Sequence, residues 1–458
     1  MTLHKNQAPL VVVGAGACGM VAALSAAKRG TRTLLFEKGP EPAGNTARST
    51  GLIPAAGTRF QREAGILDDS PRLMAEDIFR KNDHESDPGL TRLLCGESGP
   101  LVEWLVDEAG CEMVCYKDFL YPGQSRHRMH GPKESYGTEL VRQLQGAVRE
   151  EPLISLHTST PVNGLVSEDG RVVGVETREG RIEAGAVVLA LNGFGGDRGM
   201  VEEYLGPEAA AALYFGSPNN TGEGIRWGLA LGAEAQHMGS YQGHASVAYP
   251  DGPLVTWGVV VNGAILVNRE GRRFGCETVG YSEYAGSVMA QPGGEAWEIF
   301  DREVYEASLG TRFDELVQAD KVVCSETLEE LAGTLGLPTD ALAETVAQTN
   351  RSAGGEIPDA FGREDFLCGP FEPPLYGIHV RGALFHTQGG LRVDARAGVL
   401  RPDGTRIPGL YAGGGTAVGV SGGGYKGYSS GNGLLAATVL GKVAGEAASA
   451  EMMQVSPV

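Results

Sequence analysis

Several things are missing from this chain of 458 residues, and each absence narrows what it can be. No apolar run reaches the length of about 20 residues that spans a bilayer. The start, MTLHKNQAPL, leads directly into an apolar strand and carries no basic and apolar leader pattern. Seven cysteines are scattered without C-x-x-C or zinc-type spacing, so neither a disulfide framework nor a structural metal is expected. Together these features predict a reduced, cytoplasmic setting. Basic residues are outnumbered, 38 Lys and Arg against 57 Asp and Glu, for a formal charge of −19. That balance argues against nucleic acid or an anionic membrane as partner. Neither a haem-attachment C-x-x-C-H nor a cluster motif occurs, so any electrons must leave through an external acceptor. Internal repeats and low-complexity tracts are also missing.

Glycine is what the chain has in excess, 69 residues without a G-X-Y period. The glycines cluster, which points to backbone lying close to a ligand. In APLVVVGAGACGMVAALSAAKRGTRTLLFEKG (residues 8–39), an apolar strand meets a glycine turn, an Ala-rich helix and a second strand. Gly14, Gly16 and Gly19 form G-x-G-x-x-G, and Glu37 ends the second strand. The first glycine allows the turn, the second lets a pyrophosphate approach near Ala15, and the third lets helix and strand pack closely. The helix N-terminus faces the phosphates, and Glu37, followed by Lys38, is placed to take the ribose hydroxyls of an adenosine.

The next segment, EKGPEPAGNTARSTGLIPAAGT, resembles the stretch that wraps the ribitol and isoalloxazine of FAD in the fumarate reductase and succinate dehydrogenase flavoprotein superfamily. Gly44, Asn45, Thr46, Ser49, Thr50 and Gly51 occupy those positions. The segment has no histidine of the kind that attaches FAD covalently in membrane-bound members, so the resemblance implies non-covalent FAD. RIEAGAVVLALNGFGGD (181–197), VNGAILVNREGRRF (261–274) and TQGGLRVDARAGVLRPDGTRIPGLYAGGGTAVG (387–419) resemble later superfamily segments in the same order. On the resemblance Val162, Asn192, Gly193, Gly415, Asn432, Leu434 and Leu435 also contact FAD. The N-terminus of the helix near Leu434 and Leu435 would stabilise the reduced flavin.

The implied fold is α/β: a GR2-type, Rossmann-like FAD-binding domain of residues 1–244 and 386–458, interrupted by an α+β cap of 245–385. The active site is expected between flavin and cap, because pockets favour domain interfaces. DSPRLMAEDIFRKNDH and TRLLCGESGPLVEWLVDEAG read as surface helices, and ETLEELAGTLGLPTDALAETVAQTNRSA as a helical patch of the cap.

Two superfamily arginines are replaced. Four residues after Glu277, where dicarboxylate-reducing members carry an arginine proton donor, stands Tyr281. Tyr428 stands where a second arginine clamps a substrate carboxylate. GYSEYAG (280–286) and SGGGYKGYSSGNG (421–433) instead resemble tyrosine segments of 3-ketosteroid dehydrogenases. That resemblance makes Tyr281 the base beside a ketone, once a neighbouring charge lowers its pKa, and Tyr425 a hydrogen-bond donor to the ketone oxygen. Ser429 falls on the second donor, a backbone N–H. Tyr428 is expected to pack on flavin or substrate. His244 and His386 match substrate-binding histidines of the dicarboxylate-reducing members, and both could instead be structural. Tyr121 lies in YPGQSRHRMHGP, with Arg126, Arg128 and His130, read as a solvated basic loop able to send one arginine to an acidic substrate.

The expected reaction is therefore desaturation of a cyclic ketone, by loss of a Cα proton to Tyr281 and a Cβ hydride to FAD. The alternative is a carboxylic-acid oxidoreductase like fumarate reductase or tricarballylate dehydrogenase, with histidines in place of arginines. A flavin-binding protein without turnover is a third reading.

Overall fold

The computed structural model describes residues 8–117 and 119–455, which divide into two compact units: residues up to 205 with 216–241 and 386 onward, and residues 206–215 with 242–385.

The first unit is built on a six-stranded sheet. Leu10–Val13 lies at its centre, parallel to Thr33–Phe36 on one side and Ala186–Leu189 on the other. Ile154–His157 and Arg406–Ala412 extend it in parallel, and Gly398–Leu400 closes one edge antiparallel. All four residues of Leu10–Val13 are buried, which is why the strand is a continuous apolar run and not an alternating one. The helix Ala17–Lys28 is buried along nearly its whole length. Its partner is the long C-terminal helix Asn432–Val455. A Cβ on Gly441 would lie 2.4 Å from the Cys18 carbonyl oxygen and one on Gly445 2.2 Å from that of Ala22, so glycine is what lets the two helices meet. An antiparallel meander, Val162–Glu168, Arg171–Thr177 and Gly180–Glu183, completes the strands that bear on the site.

Both helices expected between residues 68 and 110 form, as Pro71–Lys81 and Pro88–Asp107, capped by Ser70 and Asp87. The second is not a surface helix: Leu90, Leu94, Leu101, Val102 and Leu105 are buried along one stripe.

The second unit centres on Glu295–Asp301, which pairs antiparallel with Ile265–Val267 and with Leu375–Thr387. Alternate residues serve two cores, Ala296 and Phe300 on one face, Trp297 and Ile299 on the other. Residues 206–215 fall in this unit because Leu213–Tyr214 pairs with Ala383 and Leu384; residues 242–244 fall in it as well, whereas the sequence expectation put both segments in the first domain. The helical patch of the cap is two helices, Leu328–Leu335 and Thr339–Ala353, separated where Gly336 turns left-handed (φ +70°) just before Pro338. Among the described residues no helix is long and apolar enough to cross a membrane.

Candidate functional site

The three glycines of the first turn do three different jobs. Gly14 has φ +99°, and a Cβ there would sit 2.3 Å from the Ala190 carbonyl oxygen. A Cβ on Gly19 would lie 1.8 Å from the Gly14 oxygen, so that glycine seats the helix on the turn. Around Gly16 the protein asks for nothing: the nearest atom to a Cβ is Thr46 Oγ1, at 3.7 Å. That open cradle at a helix N-terminus is what a phosphate-bearing ligand requires. The first turn of Ala17–Lys28 carries no acidic residue to neutralise its positive end.

Side chains around the turn are fixed by hydrogen bonds. Glu37 accepts the Ala15 N–H on Oε2 (3.0 Å) and the Gly39 N–H on Oε1 (2.8 Å), which fixes its carboxylate at the strand end. Thr46 Oγ1 accepts the Ala17 N–H at 3.1 Å. Ser49 donates to the Thr46 carbonyl and accepts the Gly51 N–H, and Gly51 turns with φ +72°. The Thr50 carbonyl takes the Ser135 hydroxyl. Asn45 Oδ1 accepts from Ser217 N and Asn220 Nδ2, while Gly44 has open space where a Cβ would be. Lys38 is paired with Glu223 at 2.8 Å. Val162 opens the meander. Asn192 takes a left-handed turn (φ +66°) with its Oδ1 on the Gly193 N–H, and a Cβ on Gly415 would lie 2.5 Å from that Oδ1.

The loop before the C-terminal helix is pinned from several directions. Asn82 Nδ2 donates to the Val420 carbonyl, Gly423 N to Glu85, and Ser240 Oγ to the Gly424 carbonyl. Within it Tyr425 is half-buried and leans on Tyr241, ring centroids 5.7 Å apart. Tyr428 is buried, its hydroxyl oxygen accepting the Gly431 N–H at 3.3 Å and its ring edge-on to His386. One phenol of the loop thus braces the backbone, and the other is placed beside Tyr241. Asn432 bonds back to Ser429 and Ser421, and Leu435 N to the Gly431 carbonyl, while Leu434 accepts from Thr438. His386 lies over the start of this helix: a Cβ on Gly433 would be 2.7 Å from its Cε1. Burial pushes its pKa down to about 4. Its Nδ1 lies 3.0 Å from Gln388 Nε2 and 3.4 Å from the Thr387 carbonyl oxygen.

The stretch 121–132 is not a solvated basic loop. Arg128 is fully buried and bonded to Asp69 and Asp77, a triad with one net negative charge. His130 is buried on the Thr58 hydroxyl, and Arg126 pairs with Asp68. Isolated in sequence these residues look basic; their carboxylates come from 50 or more residues away. Tyr121 packs on Phe119. A small pocket is lined by Ser429, Asn432, Gly123, Gln124, Asp77 and Arg128.

In the second unit, His244 is buried with Tyr281 stacked on it at 4.9 Å and Phe385 at 5.3 Å, and Trp257 meets its edge. His244 Nδ1 accepts the Ser246 N–H, so its Nε2 carries the hydrogen. Burial pushes its pKa down to about 3. Tyr281 opens the helix Tyr281–Met289 after Gly280 (φ +115°). The turn before it is anchored through Glu277, which binds Arg273 at 2.8 Å and lies 3.6 Å from Arg363. The ring partners of Tyr281, His244 and Trp257, are uncharged, so the cation expected beside the phenol is not among them. Sequence reasoning missed Trp257, Phe385 and Glu298. Glu298 is fully buried, bonded to Ser246, and one carboxyl oxygen has no partner. A charged residue inside the apolar run of Glu295–Asp301 was the available signal.

Residues 10–434 match the family model described as FAD binding domain. The probable fumarate reductase Ifc3 of Shewanella frigidimarina is 31% identical over 449 residues, covering 95% of this chain and 74% of that protein. Among solved structures, the open conformation of a flavocytochrome c3 fumarate reductase superposes with a TM-score of 0.83 at 30% identity, covering 98% of this chain and 79% of that one. The 3-ketosteroid-Δ4-(5α)-dehydrogenase of Rhodococcus jostii RHA1, in complex with 4-androstene-3,17-dione, superposes with a TM-score of 0.78 at 27% identity over 97% of both chains. The open cradle at Gly16, the unneutralised helix end and the held carboxylate of Glu37 fit FAD's pyrophosphate and adenosine ribose. The chain belongs to this FAD-binding family and is an FAD-dependent oxidoreductase.

Proposed function

We propose that the enzyme reduces a carbon–carbon double bond conjugated to one carboxylate or carbonyl group, as a carboxylic-acid oxidoreductase of fumarate reductase type whose substrate carries a single activating group. The observation that carries this reading is His244, buried and uncharged with Nε2–H as its donor, with Tyr281 stacked on it. A neutral donor polarises an acyl oxygen without the guanidinium that a dicarboxylate clamp uses. Likeness to the fumarate reductases supports the reaction class, and tyrosines at both arginine positions support the narrower substrate.

In this reading His244 and His386 bind the acyl oxygens, and the Tyr425 hydroxyl and the Ser429 backbone N–H oppose charge that develops on them. Tyr281 delivers the proton to Cα and is recharged from solvent. Bound FAD supplies the hydride for Cβ. Gly14, Ala15, Gly16, Gly19, Glu37 and the 44–51 turn would hold its phosphates, ribose and ribitol, and the helix start at Asn432 to Leu435 would stabilise the reduced flavin. Electrons enter from a separate donor.

A second reading, desaturation of a cyclic ketone, is favoured by the phenols Tyr281 and Tyr425 and by likeness to the steroid dehydrogenase. One anaerobic panel separates them. Reduced enzyme is mixed with cinnamate, cyclohexenone and fumarate, and oxidised enzyme with the saturated ketone. The expected result is rapid reoxidation by cinnamate and slow reoxidation by fumarate. Rapid reoxidation by fumarate overturns the single-group substrate. Bleaching by the saturated ketone alone transfers the enzyme to the second reading, and no reaction with any compound removes both.

A further inference from the structure

The second unit contains an assembly that none of the assigned roles explains. Tyr281, His244, Phe385 and Phe215 form one continuous stack, with ring centroids 4.9, 5.3 and 5.0 Å apart and planes within 20°, 22° and 17° of parallel. Trp257 stands perpendicular to His244 at 6.0 Å. Tyr281 and Phe385 each lie near-parallel to the imidazole, His244 is buried, and on its rim Nδ1 is occupied by the Ser246 N–H at 3.1 Å.

We propose that Phe385 and Phe215 are positioning residues that lock His244 into one orientation as a permanently uncharged Nε2–H donor. A 180° flip of the imidazole must pass through edge-on orientations that the stacked rings oppose, and in the flipped state the Ser246 N–H would lose its acceptor. His244 is 4% exposed, so an imidazolium there is poorly solvated. Burial accordingly pushes His244 well below the ordinary imidazole range. The other titratable group on the ring face is the Tyr281 phenol. Phe385, Phe215 and Trp257 bring none. From the strand Glu295–Asp301, Glu298 reaches the Ser246 hydroxyl, and burial raises its carboxyl to about 7, so it is largely uncharged below neutrality. Among the described residues the polar atom bonded to His244 is the Ser246 N–H, and Glu298 meets the Ser246 hydroxyl instead of the imidazole.

The catalytic consequence rests on the proposal that His244 binds the substrate acyl group; the state of the ring does not. The test is nitrogen NMR of the holoenzyme labelled in its nine histidines, with His244→Asn assigning the signal. The expected wild-type signal is an Nε2–H tautomer that does not titrate between about pH 5 and 8. In Phe385→Ala water enters, the midpoint rises toward the ordinary value of about 6.5, and kcat/KM acquires a fall below that pH. Phe385→Tyr, which keeps a ring, is expected to restore the flat profile, and Phe215→Ala to give a smaller shift in the same direction. A wild-type His244 that titrates in this range, an Nδ1–H tautomer, or a Phe385→Ala signal that still does not titrate overturns the proposal. If the spectra come out as expected while His244→Asn turns over normally, the substrate-binding reading fails and the lock stands.

Discussion

The two units use opposite materials at the positions proposed to face ligands. The first uses backbone: an open glycine at Gly16, a bare helix start at Ala17, and the abutting turns at Asn192–Gly193 and Gly415. The second uses rings, with Tyr281, His244, Phe385, Phe215 and Trp257 packed on one another. They also differ in how they bury charge. In the first unit Asp69 and Asp77 enclose Arg128. The second has a comparable group in Arg273, Glu277, Arg363 and Asp359, and in addition Glu298, buried on the Ser246 hydroxyl. Backbone recognition suits a constant cofactor whose phosphates look the same in every enzyme. Ring and carboxyl chemistry suits a site that must discriminate and move protons.

The sharpest break of that contrast is between two neighbouring glycines. Gly16→Val is expected to leave the melting of the apo-protein unchanged while weakening FAD by about 100-fold, or about 2.7 kcal/mol. Gly19→Ala, whose new methyl meets the Gly14 oxygen, is expected to destabilise the apo-protein itself by about 1–3 kcal/mol. Flavin titration beside denaturant melts checks both. Equal effects on fold and cofactor would remove the distinction between packing and binding glycines.

A smaller effect tests the unpaired acid. Because burial raises its folded pKa from 4.5 to about 7, Glu298 contributes stability that is complete below the lower value and lost as pH rises through the upper one. His244 and His386 act in the opposite sense: their folded values are depressed, so their contribution is present above the ordinary imidazole range and lost as pH falls. Denaturant melts of wild type and Glu298→Gln across pH 5 to 7.5 isolate the acid. The stability difference is expected to move against the wild type by up to about 1.4 kcal/mol per pH unit as pH rises. A constant difference would mean that Glu298 titrates as an ordinary carboxylic acid.

The same contrast explains what could be read from the sequence. G-x-G-x-x-G after an apolar strand is local chemistry, and the turn, the parallel strands and the position of Glu37 follow from spacing alone. The rings do not. Phe215, His244, Tyr281 and Phe385 are spread over 171 positions, the separation of 215 and 385 plus one, and only tertiary folding stacks them. Arg128 and His130 were misread for the same reason, since a basic stretch gives no sign of the aspartates that bury it. The two-residue strand Leu213–Tyr214, through which 206–215 join the second unit, has too short a pattern to read from sequence.

In the proposed reaction Tyr281 exchanges the substrate proton. Tyr281→Phe keeps the ring on His244 and removes only the hydroxyl, so FAD content and substrate binding are expected to stay near wild type. Stopped-flow reoxidation of the reduced variant by the best enoate of the panel is the direct measurement. The predicted result is a rate lower by about 10²–10⁴, the range that a positioned general acid supplies. Reoxidation at the wild-type rate would contradict the account, because the proton would then reach Cα without the phenol.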